Sequence, residues 1–258
     1  MEGTRILFPE ERRLAILERV NHDGRAAVAE LSKEFGVSEV TIRADLQLLT
    51  DHMLIVRTHG GAVPINRIPE TSLTLRRHLQ VSEKERIGQT GAAMVANGEA
   101  IFLDTSSTAL ALANHLKQHR DLTIITNSLA VAQTMLDAMG VTVVMPGGTL
   151  QRDTISLIGT DGLNLLQNFN IQKGFFGAHG LCYPEGLTDV SKTEAEVKQH
   201  MIKMCREVIA ILDATKWGRV GLASFARMED LNCIITDNKA PGDMVKQAYQ
   251  FGIKVIKV

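Results

Sequence analysis

Gly36 separates two short amphipathic segments, and that break narrows what the first sixty residues can fold into. Within residues 27–62, AVAELSKEFGVSEVTIRADLQLLTDHMLIVRTHGGA, an apolar-periodic run from Val28 to Phe35 stops at Gly36, whose missing Cβ admits a positive φ. Val37 is expected to plug the core. Ser38 suits the N-cap of a second helix, and Ile42, Leu46 and Leu49, at i, i+4 and i+7, give that helix one buried stripe. Its free face carries Val40, Thr41, Arg43, Ala44 and Gln47. LIVRTHGGA then reads as a β-branched strand bearing Arg57, followed by a Gly-Gly turn that lets the backbone come close to a phosphate. Helix, turn, helix and wing together point to a winged helix-turn-helix, with Ser38, Val40, Thr41, Arg43, Gln47, Arg57, His59 and Gly60 as candidate contacts to double-stranded DNA. A preceding helix opens at Pro9-Glu10-Glu11 and runs to about Val20, with Leu14, Ile16, Leu17 and Val20 mostly on one side.

Charge opposes this reading at first sight. Net charge is −1, and residues 1–60 hold 8 Lys and Arg against 10 Asp and Glu, so any positive face has to be local. Arg43, Arg57, Lys33, Arg12 and Arg13 are the residues available to form it, with Glu10, Glu18 and Glu30 turned elsewhere. The three cysteines, Cys182, Cys205 and Cys233, are widely spaced and show no zinc pattern, so they are expected to be reduced core residues. No apolar run reaches signal-peptide or membrane-spanning length, which places the chain in the cytoplasm. His115 and His119 lie at i and i+4 without an accompanying acid or cysteine ligand, so two exposed histidines are expected and no metal or cofactor.

Pro64 and Pro69 interrupt any helix after the wing, dividing the chain into a DNA-binding module over 1–62, a linker over 63–81 and a larger domain over 82–258. The linker residues Arg67, Arg76, Arg77 and His78 belong either to a solvated connector or to a phosphate-contacting arm. Beyond Ser82, short β-branched runs at 100–104, 122–126, 141–145, 174–178, 208–213, 233–237 and 253–257 alternate with helical stretches near 83–96, 107–118, 128–138, 160–167, 192–205 and 241–250. Such βαβ alternation predicts a mostly parallel sheet covered on both faces. Ligands bind such sheets at the carboxyl ends of the strands. The segments there are polar or glycine-rich: Thr105-Ser106-Ser107-Thr108, Thr126-Asn127-Ser128, Pro146-Gly147-Gly148, Gly177-Ala178-His179-Gly180 and Asp213-Ala214-Thr215-Lys216. Hydroxyls and free N–H groups at a helix start suit an anion, although plain N-capping accounts for any single one of them.

FGVSEVTIRADLQLL followed by RTHGGA resembles the N-terminal module of the DeoR family of bacterial transcriptional regulators, whose usual form is near FGVS-x-x-TIRRDL-x-x-L and then R-x-HGGA. Ala44 replaces the second arginine of that pattern, so no base preference is carried over. IFLDTSSTALALANHL, LTIITNSLAVA, VVMPGGTL, GLTDVSKTEAEVKQHM and ILDATKW look like successive blocks of that family's effector domain, extending the resemblance over nearly the whole chain. It implies a Rossmann-like domain similar to ribose-5-phosphate isomerase and glucosamine-6-phosphate deaminase. It implies a repressor of a sugar or polyol operon released by a phosphorylated sugar. Asp104, Ser106, Ser107, Thr108, Asn127, Gly147, Gly148, His179, Glu194, Asp213 and Lys216 are the effector contacts it implies. A homodimer or larger homo-oligomer is expected, because one small helix reads too little DNA alone.

The rival reading is a sugar-phosphate isomerase carrying an added DNA-binding module. Isomerisation needs a carboxylate base and groups that stabilise an enediolate. Ribose-5-phosphate isomerases present G-A-D-E and Lys-Gly-Gly-Gly stretches for this, whereas here Gly177-Ala178-His179-Gly180 and Pro184-Glu185-Gly186-Leu187 stand in their place. Glu194 alone reads as a ligand contact, or as a helix acid facing Lys198 at i+4. No catalytic residue is assigned.

Overall fold

Buried stripes at helical spacing build the first unit of the chain. The computed structural model describes residues 7–51, 54–58, 60–64 and 72–258, which divide into two compact units, Met1–Leu75 and Arg76–Val258. His59, and with it residues 65–71 of the expected linker, lie outside the described residues.

In the first unit, α1 (Pro9–Asp23) begins with Pro9 just after Phe8, whose N–H donates to the Glu11 carboxylate at 3.0 Å. Ile16, Leu17 and Val20 are buried, while Leu14 stays 48% exposed. α2 (Val28–Phe35) ends at Gly36 with φ 63°, and α3 (Glu39–Asp51) begins where Ser38 Oγ accepts the Thr41 N–H at 3.1 Å. Ile42, Leu46 and Leu49 are buried against Leu31, Val20 and Ile55, as their spacing requires. β1 (Ala26–Ala27), β2 (Ile55–Thr58) and β3 (Gly61–Pro64) form an antiparallel sheet in the order β1-β3-β2, so β2 and β3 make the wing hairpin. Gly61 is explained by packing rather than by phosphate approach, since a Cβ there would lie 2.1 Å from Ala26 O; Gly60 has open space. α4 (Leu73–Arg76) follows, with Leu73 buried.

One polar contact crosses this apolar core. Arg12 donates through Nε to Asp45 Oδ2 at 2.7 Å, with side-chain exposures of 8% and 5%, and Arg13 Nη1 lies 3.5 Å from Asp45 Oδ1. The expectation that Arg12 and Arg13 join a DNA-facing surface is therefore corrected. Arg12 turns inward to neutralise an aspartate on the inner face of α3, and the half-buried Arg13 leans towards the same carboxylate.

The second unit contains a seven-stranded, wholly parallel sheet. Its strands are β4 (Ala100–Leu103), β5 (Leu122–Thr126), β6 (Val141–Val144), β9 (Ile171–Phe176), β12 (Cys205–Ile211), β14 (Cys233–Thr236) and β15 (Lys254–Lys257), in the order β15-β14-β12-β9-β4-β5-β6. Alternation along the strands supplies two cores. Ile101, Leu103, Phe175, Ile209 and Ile211 face α5 (Val81–Ala92), α6 (Ser107–Asn114) and α7 (Leu129–Thr134). Phe102, Phe176, Val208 and Ala210 face α8 (Lys192–Met204) and α9 (Gly242–Gln250). Two smaller antiparallel pieces escape the sequence reading: the hairpin β7 (Thr149–Gln151) with β8 (Ser156–Ile158), and the sheet of β10 (Gly180–Cys182), β11 (Gly186–Asp189) and β13 (Ala223–Ala226).

Several element expectations shift. The strand placed at 174–178 is Ile171–Phe176, so Gly177 and Ala178 belong to the following loop. The helical stretch at 160–167 is a 3₁₀ turn over Asp161–Leu166. α6 and α7 are shorter than the runs 107–118 and 128–138. Of the cysteines only Cys233 is buried; Cys182 and Cys205 are partly exposed, and all three are free. His115 and His119 are half-buried rather than exposed: His115 Nε2 lies 2.8 Å from Glu85 Oε1, and His119 Nε2 lies 3.1 Å from Val95 O.

Replacing Asp45 with Ala leaves Arg12 charged and unpaired inside the first unit, which should cost about 3–5 kcal/mol. Urea unfolding followed by circular dichroism should show this loss. A variant as stable as the parent would mean that the pair lies open to water.

Candidate functional site

Two surfaces carry the chemistry, one in each unit. On α3, the inner residues Ile42, Asp45, Leu46 and Leu49 are consumed by the core. Val40 is left 72% exposed, with Arg43 and Gln47 also exposed and Thr41 half-buried. Ser38 and Thr41 share a hydroxyl contact of 2.8 Å at the start of the helix. Arg43 donates to Glu39 at 2.6 Å, one turn back. Gln47 joins the helix to the wing, accepting from Arg57 Nη1 at 2.6 Å while donating to Asp51 at 2.7 Å. The guanidinium of the wing strand is thus held beside the exposed helix face. An exposed helix with a flanking cationic strand has the form that enters a major groove while the wing meets the backbone.

In the second unit, parallel strands force every carboxyl end to one edge. Strand order also reverses there: β5 and β6 extend to one side of β4, whereas β9, β12, β14 and β15 extend to the other. The crevice between the ends of β4 and β9 is such a switch point. Asp104 bridges it. Its Oδ1 accepts the Ser106 N–H at 3.0 Å, and its Oδ2 accepts the Gly177 N–H at 2.9 Å. Gly177 has to be glycine, because a Cβ would lie 2.4 Å from Ser106 Cβ.

Lys198 rises into this crevice from α8. Its Nζ lies 2.9 Å from Gly177 O, 2.9 Å from Asp189 Oδ2 and 3.0 Å from Asp104 Oδ2. Burial works against the ammonium, but Asp104 and Asp189 outweigh it and hold its pKa above the ordinary lysine value. Burial likewise opposes the Asp189 carboxylate, yet Lys198 keeps that group below its usual range. The expected pairing of Lys198 with Glu194 along the helix gives way to this three-way contact. Glu194 Oε1 instead accepts from Thr105 Oγ1 and Ser156 Oγ, each at 3.2 Å, and Ser156 Oγ lies 2.6 Å from Thr154 Oγ1.

The remaining sequence-assigned residues fall on the same edge. Ser106 caps α6 by accepting the Ala109 N–H at 3.0 Å, and Ser107 and Thr108 form the buried first turn of that helix. Asn127 follows β5 and donates to Leu157 O at 3.0 Å, tying in the β7–β8 hairpin. Gly147 and Gly148 turn the chain after β6 with φ of 84° and 126°. His179 follows β9, and its backbone N–H donates to Thr188 O at 2.9 Å. Asp213 follows β12 and caps the short turn Ala214–Lys216 through the Thr215 N–H at 3.0 Å. Burial pulls the pKa of Lys84 of α5 down to about 8, with the charge of Asp213 opposing the fall and that of Lys216 adding to it.

Thr105, Ser156, Asp189, Lys198 and Lys84 were not among the residues assigned from the sequence. A signal for Lys198 was present: it lies in phase with Ala195, Met201 and Ile202 on the buried stripe of α8, where a charged residue has to find a partner. Thr105 stands in the polar segment after β4 that the sequence marks, whereas Ser156 carries no comparable signal, because its meeting with Glu194 brings the β7–β8 hairpin to α8, a non-local contact.

Comparisons with known proteins bear on both surfaces. Residues 12–67 match the DeoR-like helix-turn-helix domain, and residues 79–238 match the DeoR C terminal sensor domain. The chain is 36% identical over 250 residues to the HTH-type transcriptional regulator GolR of Listeria innocua, covering 96% of this chain and 98% of that protein. It is 31% identical over 231 residues to the glycerol-3-phosphate regulon repressor of Escherichia coli, covering 90% and 92%. Among solved structures, ribose 5-phosphate isomerase A of Methanocaldococcus jannaschii aligns at a TM-score of 0.39 and 15% identity, over 52% of this chain and 53% of the isomerase. With both domain models in register and similarity spanning almost its full length, the chain belongs to the DeoR family of transcriptional regulators.

Proposed function

We propose that this regulator represses an operon for sugar or polyol breakdown and leaves its operator when a phosphorylated intermediate binds the carboxyl edge of the sheet unit. The convergence of hydroxyls, amide groups and charge at the β4–β9 switch point carries this reading. A relative named for a glycerol-3-phosphate regulon supports the ligand class. Carboxylates and amides near Asp104, Asn127 and Glu194 suit the hydroxyls of a sugar, and the cations near Lys216 suit its phosphate. The DNA contacts are Ser38, Val40, Thr41, Arg43, Gln47, Arg57, His59 and Gly60. The effector contacts are Asp104, Ser106, Ser107, Thr108, Asn127, Gly147, Gly148, His179, Glu194, Asp213 and Lys216. A homodimer or larger homo-oligomer reads repeated half-sites in the cytoplasm. No helix among the described residues is long and apolar enough to cross a membrane.

Arg43→Ala should weaken operator binding by about 1–3 kcal/mol if the arginine reads a guanine edge. Arg57→Ala should weaken all sequences alike and reduce the salt slope by about one. Val40→Ser should lower specific binding more than non-specific binding, as loss of a thymine-methyl contact would. Binding isotherms over a range of salt concentrations distinguish the three, and unchanged isotherms for both arginine variants would remove this DNA face.

Ser107→Ala combined with Lys216→Ala should keep operator affinity and lose release by sugar phosphates, giving a super-repressor. Anisotropy of a labelled operator fragment, titrated with a sugar-phosphate panel, measures this. Normal release would refute the assigned pocket. Aldose–ketose turnover by the parent protein that disappears in Glu194→Gln would favour the isomerase instead. In thermal-shift screening, a true effector at 100 times its dissociation constant should add about 2.7 kcal/mol of stability.

A further inference from the structure

Arg76 ends α4 and opens the sheet unit, one residue after Leu75, which packs on the core of the DNA-binding unit. The sequence around it suits either a solvated connector or a contact with DNA. The structure instead turns its side chain inward: Nε and Nη2 are shielded from solvent and have no hydrogen-bond partner among the described residues. A guanidinium is permanently charged and carries five N–H donors, and the three on Nε and Nη2 are stranded in the interior, an anomaly that calls for a ligand.

Its neighbours belong to the site already described. The Arg76 charge helps keep Asp189 ionised, and Asp189 is the partner of Lys198. It also bears on Lys84, as do the charges of Asp213 and Lys216. Lys84 holds the backbone in place, because its Nζ donates to Arg76 O and to Leu79 O, both at 2.6 Å. Nε and Nη2 lie on the same side of a guanidinium and form the fork that matches two oxygens of a phosphate.

We propose that Arg76 is an effector-binding residue whose Nε and Nη2 grip the phosphate-class group of the ligand, on a backbone segment fixed by Lys84. This rests on the reading of the carboxyl edge as the effector site. A ligand held there touches the residue next to the point where the chain passes into the DNA-binding unit.

The test is thermal unfolding of the full chain, titrated with inorganic phosphate and with a sugar-phosphate panel against sodium chloride of equal ionic strength. Phosphate should raise the melting temperature of the parent. Arg76→Ala should weaken that response roughly tenfold or more, and Arg76→Lys should retain part of it. Without phosphate, Arg76→Ala should melt at or above the parent temperature, because removing stranded donors relieves a cost that a purely structural arginine would not carry. An equal phosphate response in parent and Arg76→Ala would overturn the proposal and leave the effector site standing. A parent that responds to neither phosphate nor any sugar phosphate would overturn both.

Discussion

The Asp104 carboxylate holds the two halves of the sheet unit together where their strand order reverses. One oxygen fixes the loop after β4, and the other fixes the loop after β9 together with Lys198. A buried ion pair of this kind contributes little net stability, since desolvating the charges offsets most of their attraction. What it supplies is position. Asp104 orients the Ser106 turn, Lys198 reaches Asp189 at the end of β11, and Glu194 one turn earlier on α8 collects the hydroxyls of Thr105 and Ser156. Four segments distant in sequence thereby share one rigid arrangement of acceptors and donors.

A similar economy of charge governs the first unit. Its near-neutral total conceals an unequal distribution, because Asp45 is cancelled internally by Arg12 and Arg13, and Asp23 lies 2.9 Å from Arg19. These pairs withdraw three arginines and two aspartates, so the positive character of the exposed helix and wing rests on where Arg43 and Arg57 stand and not on a surplus of cations. Gln47 keeps those two elements in register, since it accepts from the wing arginine while its own amide is anchored on Asp51. Even here Arg43 faces Glu39, so DNA has to displace or share that contact, which lowers non-specific affinity as well as specific affinity.

The parts legible in the sequence were those with a local period. Gly36, the Ser38 cap and the Ile42-Leu46-Leu49 stripe specify the helix pair through contacts within a few residues. The β-branched runs specify the parallel strands, and parallelism alone then collects the loop after each strand on one edge. What stayed hidden was non-local. β10, β11 and β13 are short, and β11 is buried throughout, so no alternation marks it as a strand. The inward turn of Arg12 depends on Asp45, thirty-three residues away. Arg76 resembled a linker charge because its surroundings come from the end of β11 and the start of α5, which no pattern around residue 76 reveals.

The same hydrogen bonds also explain why such a scaffold suits sensing better than turnover. An enediolate mechanism needs a base and partners to share the charge, whereas Glu194 Oε1 is engaged by two hydroxyls and His179, rather than a carboxylate, follows β9. Sensing asks only that the ligand bind one state better than another. The side chains proposed as effector contacts are enclosed: Asp104, Asn127, Glu194 and Asp213 are all at most 4% exposed, so a ligand meets them only after a local opening. On the proposed reading, the work of exposing those groups, set against the attraction a ligand finds there, enters the differential free energy through which occupation of the sheet edge biases a second state of the protein.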